Sequence, residues 1–278
     1  MSPQPKTNRI DQRFAEFRAR GRPGLVSFVT AGDPDPGLSV AVMQSLVRHG
    51  SDVLELGMPF SDPMADGPVI QHANERALAK GVNLDHVLAT LRAFRAGDMS
   101  TPVVLMGYLN PIERYGFERF ADDAHAAGAD GMLLVDCPPE ESGAYAETLA
   151  RLQLRQIYLI APTTPAERRA RIAAAAQGFL YYVSFKGITG AAHHEHSAAI
   201  ESLRQLQALT QVPVAVGFGI KDAAGAALLG AHADAVVIGS ALVERLAGAR
   251  DAADVDARIA AFLPAIRAAL DATQKQAA

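Results

Sequence analysis

From residue 24 onward the chain repeats one pattern eight times. A short apolar, β-rich run gives way to a loop dense in Gly, Pro, Asp or Asn, and then to a segment with apolar residues at helical spacing. The strand-like runs cover 24–30, 52–57, 102–108, 130–136, 155–161, 179–184, 213–218 and 234–239. Helical patterns follow at 36–47, 69–80, 84–96, 117–127, 140–152, 166–176, 198–210, 222–230, 241–248 and 254–272. Short strands alternating with helices pair in parallel under a helical cover, and eight such units within ~250 residues have the size and rhythm of a closed (β/α)8 barrel. An open doubly wound sheet is the alternative, which the unit count disfavours.

Before the first strand, Ile10, Phe14 and Phe17 recur at i, i+4 and i+7, predicting a short amphipathic helix placed to lid the bottom of the barrel. Three helix-to-strand junctions echo one another: 49–52, 127–130 and 231–234 each end in aspartate just before a strand, as ordinary loop chemistry would. No linker or low-complexity stretch divides the chain. It therefore reads as one α/β domain over 1–278, a (β/α)8 barrel with extra N-terminal and loop helices and disordered ends at 1–8 and 273–278.

Composition narrows the function. A net charge of −4 offers no basic stripe for nucleic acid. No apolar stretch approaches the ~20 residues of a membrane-spanning helix, and the N-terminus lacks a signal-peptide core. The single cysteine, Cys137, excludes an intramolecular disulfide and fits a reducing, cytoplasmic compartment. The expected ligands are small molecules.

In such a barrel the chemistry gathers at the C-terminal ends of the strands. Alternation along 52–57 turns Leu54 and Leu56 toward the helices and Val53, Glu55 and Gly57 toward the interior. An acid among apolar neighbours holds its proton more tightly, which suits Glu55 to acid and base work, although pairing with an interior cation is the plainer alternative. Asp66 lies in a loop of about eleven residues, long for a βα connection. It reads equally as a functional acid or as a turn former before Pro68, and Asp62 reads as a turn former.

Glycine-bearing turns follow three adjacent strands, at Gly187–Gly190, Gly217–Gly219 and Gly239–Ser240, where backbone N–H groups can grip a phosphate. Phe28, Met106, Tyr108, Tyr181, Tyr182 and Phe218 are candidates for an aromatic-lined pocket, each equally able to be plain core. The run His193-His194-Glu195-His196 has metal-ligand composition but no second ligand group on a regular element, so surface histidines are expected there.

The segment Glu55-Leu-Gly-Met-Pro-Phe-Ser-Asp-Pro-Met-Ala-Asp-Gly-Pro68 resembles the signature of the tryptophan synthase α subunit family. Phe28-Val-Thr-Ala-Gly-Asp-Pro34, Met106-Gly-Tyr-Leu-Asn-Pro111, Val135-Asp-Cys-Pro-Pro-Glu140, Ala161-Pro-Thr-Thr164, Tyr182-Val-Ser-Phe-Lys-Gly-Ile-Thr-Gly190, Gly217-Phe-Gly-Ile220 and Ile238-Gly-Ser240 match further segments in order. The resemblance covers about residues 10–270. It implies a barrel lyase that splits indole-3-glycerol phosphate into indole and glyceraldehyde 3-phosphate by a retro-aldol reaction.

By that resemblance Glu55 is the acid and base, and Asp66 binds the indole N–H and stabilises its developing charge. Phosphate falls to Gly190, Gly219, Gly239 and Ser240, and indole to Phe28, Met106, Tyr108, Ile160, Tyr181 and Phe218. Thr189 orders the loop after strand 6 against Asp66, and the loops at 61–67 and 186–197 close over the site. No cofactor or metal is implied on this chain. The implied partner is a PLP-dependent β subunit, bound through 59–63 and 110–111 in an α2β2 complex that passes indole through a tunnel. Departures from the family pattern are Phe185, the 193–196 run and Cys137, the last expected to be a packing thiol. A stand-alone indole-producing lyase and a non-catalytic activating subunit are the competing functions.

Overall fold

The computed structural model describes residues 8–183, 193–217 and 219–273, with the side chains of 193–196 outside the description. Eight parallel strands, β1 (Gly24–Thr30), β2 (Val53–Gly57), β3 (Val103–Gly107), β4 (Gly131–Leu134), β5 (Arg155–Ile160), β6 (Leu180–Val183), β7 (Val214–Gly217) and β8 (Ala235–Ile238), pair in sequence order. The ring closes through β1 and β8, so the predicted barrel is the observed one.

Around it run α1 (Arg9–Arg20), α2 (Ser39–Arg48), α3 (Pro68–Ala79), α4 (Leu84–Arg95), α5 (Leu109–Tyr115), α6 (Phe117–Ala127) and α7 (Gly143–Arg151). The second half adds α8 (Ala166–Ala175), α9 (His193–Leu209), α10 (Ala223–Gly230), α11 (Ser240–Leu246), α12 (Ala252–Ala260) and α13 (Leu263–Ala272). Two helices depart from expectation. The single pattern over 254–272 is split, because Pro264 lacks the N–H that would continue a helix and instead sits in the first turn of α13. The segment after β3 holds the seven-residue α5, since Pro111 is tolerated in a first turn whose N–H groups have no intrahelical partner.

The core has two layers. Leu54 and Leu56, with Val103, Leu105, Val214 and Val216, face outward under the helices. Val26, Val53, Val104, Leu133, Ile157, Ala215, Ala235 and Val237 fill the barrel. Its bottom is sealed by α1, whose Ile10, Phe14 and Phe17 are almost wholly buried. The Phe14 ring lies 5.2 Å from Phe17 and 5.3 Å from Phe179. Burying each such side chain contributes about 1.5–3 kcal/mol, so the plug helps hold the closed end dry. Asn8, expected with the frayed end, N-caps α1 by accepting from Ile10 N at 2.8 Å and ties it to β4 through the Asp130 carbonyl, also at 2.8 Å.

The three aspartates of the sequence echo act alike. Carboxylate oxygens of Asp52, Asp130 and Asp234 accept from the backbone N–H groups of Leu25, Val103 and Val214 at 2.9, 2.8 and 2.8 Å. Each aspartate's own N–H donates to the carbonyl of the same residue. A two-bond ring thus fastens β2 to β1, β4 to β3 and β8 to β7 at the bottom rim. Arginines gather on two of them: Arg22 and Arg267 on Asp52, Arg9 and Arg95 on Asp130. The bottom of the barrel is therefore fixed, which leaves the top to carry loops.

Candidate functional site

β2 carries Glu55 into the barrel in register with Phe28 of β1 and Val104 of β3. The alternation is as expected, with Leu54 and Leu56 in the outer layer. Gly57, two residues on, is required by packing: a Cβ there would lie 2.7 Å from the Phe28 ring. Glu55 is 0% exposed, and neither carboxyl oxygen has a hydrogen-bond partner among the described residues. Within that description no cation pairs with it, contrary to the plainer alternative. Burial alone pushes its carboxyl up to about 8, so it holds a proton at neutral pH.

Asp66 lies in the 58–67 loop between β2 and α3, half-buried over the barrel mouth. Burial raises it to about 6, opposed by hydrogen bonds from Tyr108 and Asn74 that favour the charged form. The Tyr108 hydroxyl also accepts from Ala65 N at 3.1 Å, and its ring packs 5.3 Å from Phe60. Gln71 donates to the Asp66 carbonyl at 2.8 Å. Tyr181, inside β6, has its phenol raised well above the ordinary value, first by burial and then by the charges of Glu55 and Asp66. The structure thus brings both acids to bear on one tyrosine, which lines the same cavity as Asp66.

That cavity, of about 350 Å3, is lined by Asp66, Ile70, Met106, Val135, Leu159 and Tyr181, among others. Phe28 packs beside it with Ile70, Val243 and Met106. Such a largely apolar chamber with an acid at the mouth suits a flat aromatic ring bearing one N–H. Ile160 lines the same cavity. Its side chain belongs to the outer layer, and Leu159, in register with Tyr181, faces the interior. Period-two alternation along β5 from Ile157 was the available signal for Leu159. Tyr182 also belongs to the outer layer.

At the far side of the mouth, Gly219 follows β7 in the left-handed region at φ 57°, and Gly239 and Ser240 open α11. A Cβ on Gly239 would sit 3.4 Å from Phe28, so this turn stands next to the aromatic chamber. Thr189, Gly190 and Phe218 lie outside the described residues, as do the side chains of His193, His194 and His196. Among the described residues no cluster of three or more metal-ligating side chains occurs. No described helix is long and apolar enough to cross a membrane.

A second concavity, about 870 Å3, opens on the outside of the mouth between the 59–64 loop and α5, touching Phe60, Asp62, Asn110, Pro111 and Tyr115. Met64 on its rim is 79% exposed. It is larger than the inner chamber but lacks Asp66, which lines the smaller one, so the chemistry belongs to the smaller one. Asn74 and Leu159 are the site residues that no sequence motif indicated.

Comparison with known proteins agrees with this geometry. The profile of the family described as "Tryptophan synthase alpha chain" matches residues 14–270. The chain is 55% identical over 267 residues to the tryptophan synthase alpha chain of Xylella fastidiosa strain 9a5c, covering 96% of this chain and 100% of that one. It is 54% identical over 265 residues to that of Laribacter hongkongensis, covering 95% and 100%. Among solved structures it is similar to tryptophan synthase subunit alpha from Legionella pneumophila strain Paris, with a TM-score of 0.88, 45% identity and 95% and 99% coverage. It is also similar to tryptophan synthase of Mycobacterium tuberculosis, with a TM-score of 0.86, 36% identity and 96% and 99% coverage.

Proposed function

Because the chain belongs to the tryptophan synthase alpha chain family, lyases acting on indole-3-glycerol phosphate, we propose that Glu55 and Asp66 divide the cleavage between them. The observation that carries this is the Glu55 carboxyl, buried, unpaired among the described residues and raised to about 8 beside the chamber that Asp66 overhangs. A protonated Glu55 delivers its proton to indole C3. The ring becomes a cationic indoleninium, and the Asp66 carboxylate accepts the N–H and stabilises that charge. The bond from C3 to the glycerol chain then breaks, its electron pair returning to the ring. The neighbouring hydroxyl becomes the aldehyde carbonyl and gives its proton back to Glu55. Protons and electrons balance, and Glu55 ends as it began.

In this proposal the phosphate rests on backbone N–H groups of Gly219, Gly239 and Ser240, joined by Gly190, and the indole ring on Phe28, Met106, Tyr108, Ile160, Tyr181 and Phe218, together with Leu159. Thr189 closes against Asp66. The chain takes no cofactor of its own. Its partner is a PLP-dependent β subunit in a cytoplasmic α2β2 complex, docked on the outer groove of the 59–64 loop and α5, where exposed Met64 and the Phe60 ring offer apolar contact.

Indole release from indole-3-glycerol phosphate tests the proposal, measured for wild type, Glu55→Gln and Asp66→Asn with and without the β subunit. Loss of cleavage in both folded variants is the expected result. Retained turnover in Glu55→Gln would overturn its role, high wild-type activity alone would favour a stand-alone lyase, and none in either state a non-catalytic subunit.

A further inference from the structure

We propose that Asn74 is a positioning residue that, with the Tyr108 hydroxyl, holds the Asp66 carboxylate in the orientation its ligand meets. The inference rests on the role given above to Asp66. Asn74 lies on the buried face of α3 between Ala73 and Ala77 and is only 4% exposed. A buried amide is costly unless its donors are used; Asn74 lines one small void with Asp66 and Tyr108, where its amide favours the ionised Asp66 carboxyl. The Tyr108 hydroxyl accepts the Ala65 N–H and gives its own proton to Asp66. The 58–67 loop is thus held from a helix and from a strand end. The small void enclosed among Asp66, Asn74, Tyr108 and Phe28 shows how closely these groups meet.

The grip has a rigid base. Two residues further along α3, Arg76 binds Asp33 through two bonds of 2.7 and 3.0 Å, with Asp33 only 5% exposed. Lys80 donates to the Pro34 carbonyl at 2.7 Å. Asn74 is therefore fixed relative to the loop after β1. A carboxylate offers about four acceptor positions, so two inward donors leave others for a donor from the ligand. Both donors favour the ionised form that an indole N–H requires. The titratable groups around Asp66 are Tyr181 from the barrel interior, on which Glu55 also acts, Tyr108 just after β3, and Cys137, Tyr158 and Arg168 in the lining of the cavity.

The test uses the full chain with its β subunit and follows the pH dependence of kcat/KM for indole-3-glycerol phosphate in Asn74→Ala and Tyr108→Phe. Losing one hydrogen bond to a charged group should lower kcat/KM roughly ten- to a hundredfold. It should also move the acid limb assigned to Asp66 to higher pH, which a merely structural loss would not do. Tyr108→Phe keeps the ring and serves where Asn74→Ala fails to fold. An unmoved limb in the folded variants overturns the inference while Asp66→Asn remains inactive. Full activity in Asp66→Asn overturns the underlying role of Asp66 and the inference with it.

Discussion

Replacing Glu55 by Gln should stabilise the protein while abolishing its chemistry, and the gain should depend on pH. The folded-state value is about 8 against an ordinary 4.5, so the native state binds the proton more tightly than the unfolded chain. For a raised carboxyl the stabilising protonated form is fully present below the ordinary value. Stability is lost as pH climbs from there through the folded value. Integrating between the two values, ionisation of the unfolded chain costs the native state about 1 kcal/mol at about pH 5 and about 3 kcal/mol at about pH 7. The loss levels off above about pH 8, at about 5 kcal/mol. Glutamine is close in shape, leaves a similarly unpartnered polar head and cannot ionise, so the difference isolates the proton. Urea unfolding of wild type and Glu55→Gln across this range measures it. A stability difference that stays flat with pH, or one that shrinks as pH rises, would refute the reasoning.

Three further outcomes follow from the same geometry. Asp130→Ala removes the shared partner of Arg9 and Arg95 and the bond to Val103 N, and should cost about 3–5 kcal/mol in chemical denaturation because two guanidinium groups lose their counter-charge. Gly57→Ala forces a methyl against the Phe28 ring and to 3.3 Å from the Val29 carbonyl, costing about 1–3 kcal/mol by overpacking and lowering kcat, as melting and turnover assays would record. The pH profile of kcat/KM should rise through about 6 as Asp66 ionises and fall through about 8 as Glu55 loses its proton, giving a bell. A profile flat across that interval would contradict both assignments.

How much of this was legible in the sequence differs by level. The eight-strand barrel was readable because short apolar runs alternate with stretches of helical spacing, so two periods alternate along the chain. The plug was readable from Ile10, Phe14 and Phe17, which share one stripe. The inward direction of Glu55 followed from its apolar neighbours on β2. What escaped were relations between distant segments. The aspartate echo looked like loop chemistry, because a bond from Asp130 to the N–H of Val103 exists only once β3 and β4 are paired. No motif marks Asn74, because its burial depends on α3 lying against the barrel mouth. Leu159 is as apolar as its neighbours, and only alternation along β5 turns it toward the interior.

Carbon-13 titration of the Glu55 side-chain carboxyl bears most directly on the account, with Glu55→Gln identifying the signal. The chemistry proposed requires a carboxyl that still holds its proton at neutral pH, with a midpoint near the value of about 8 that its burial imposes. A midpoint near the ordinary value of 4.5 would mean that Glu55 is ionised when substrate arrives, and the proton it is said to deliver would not be there.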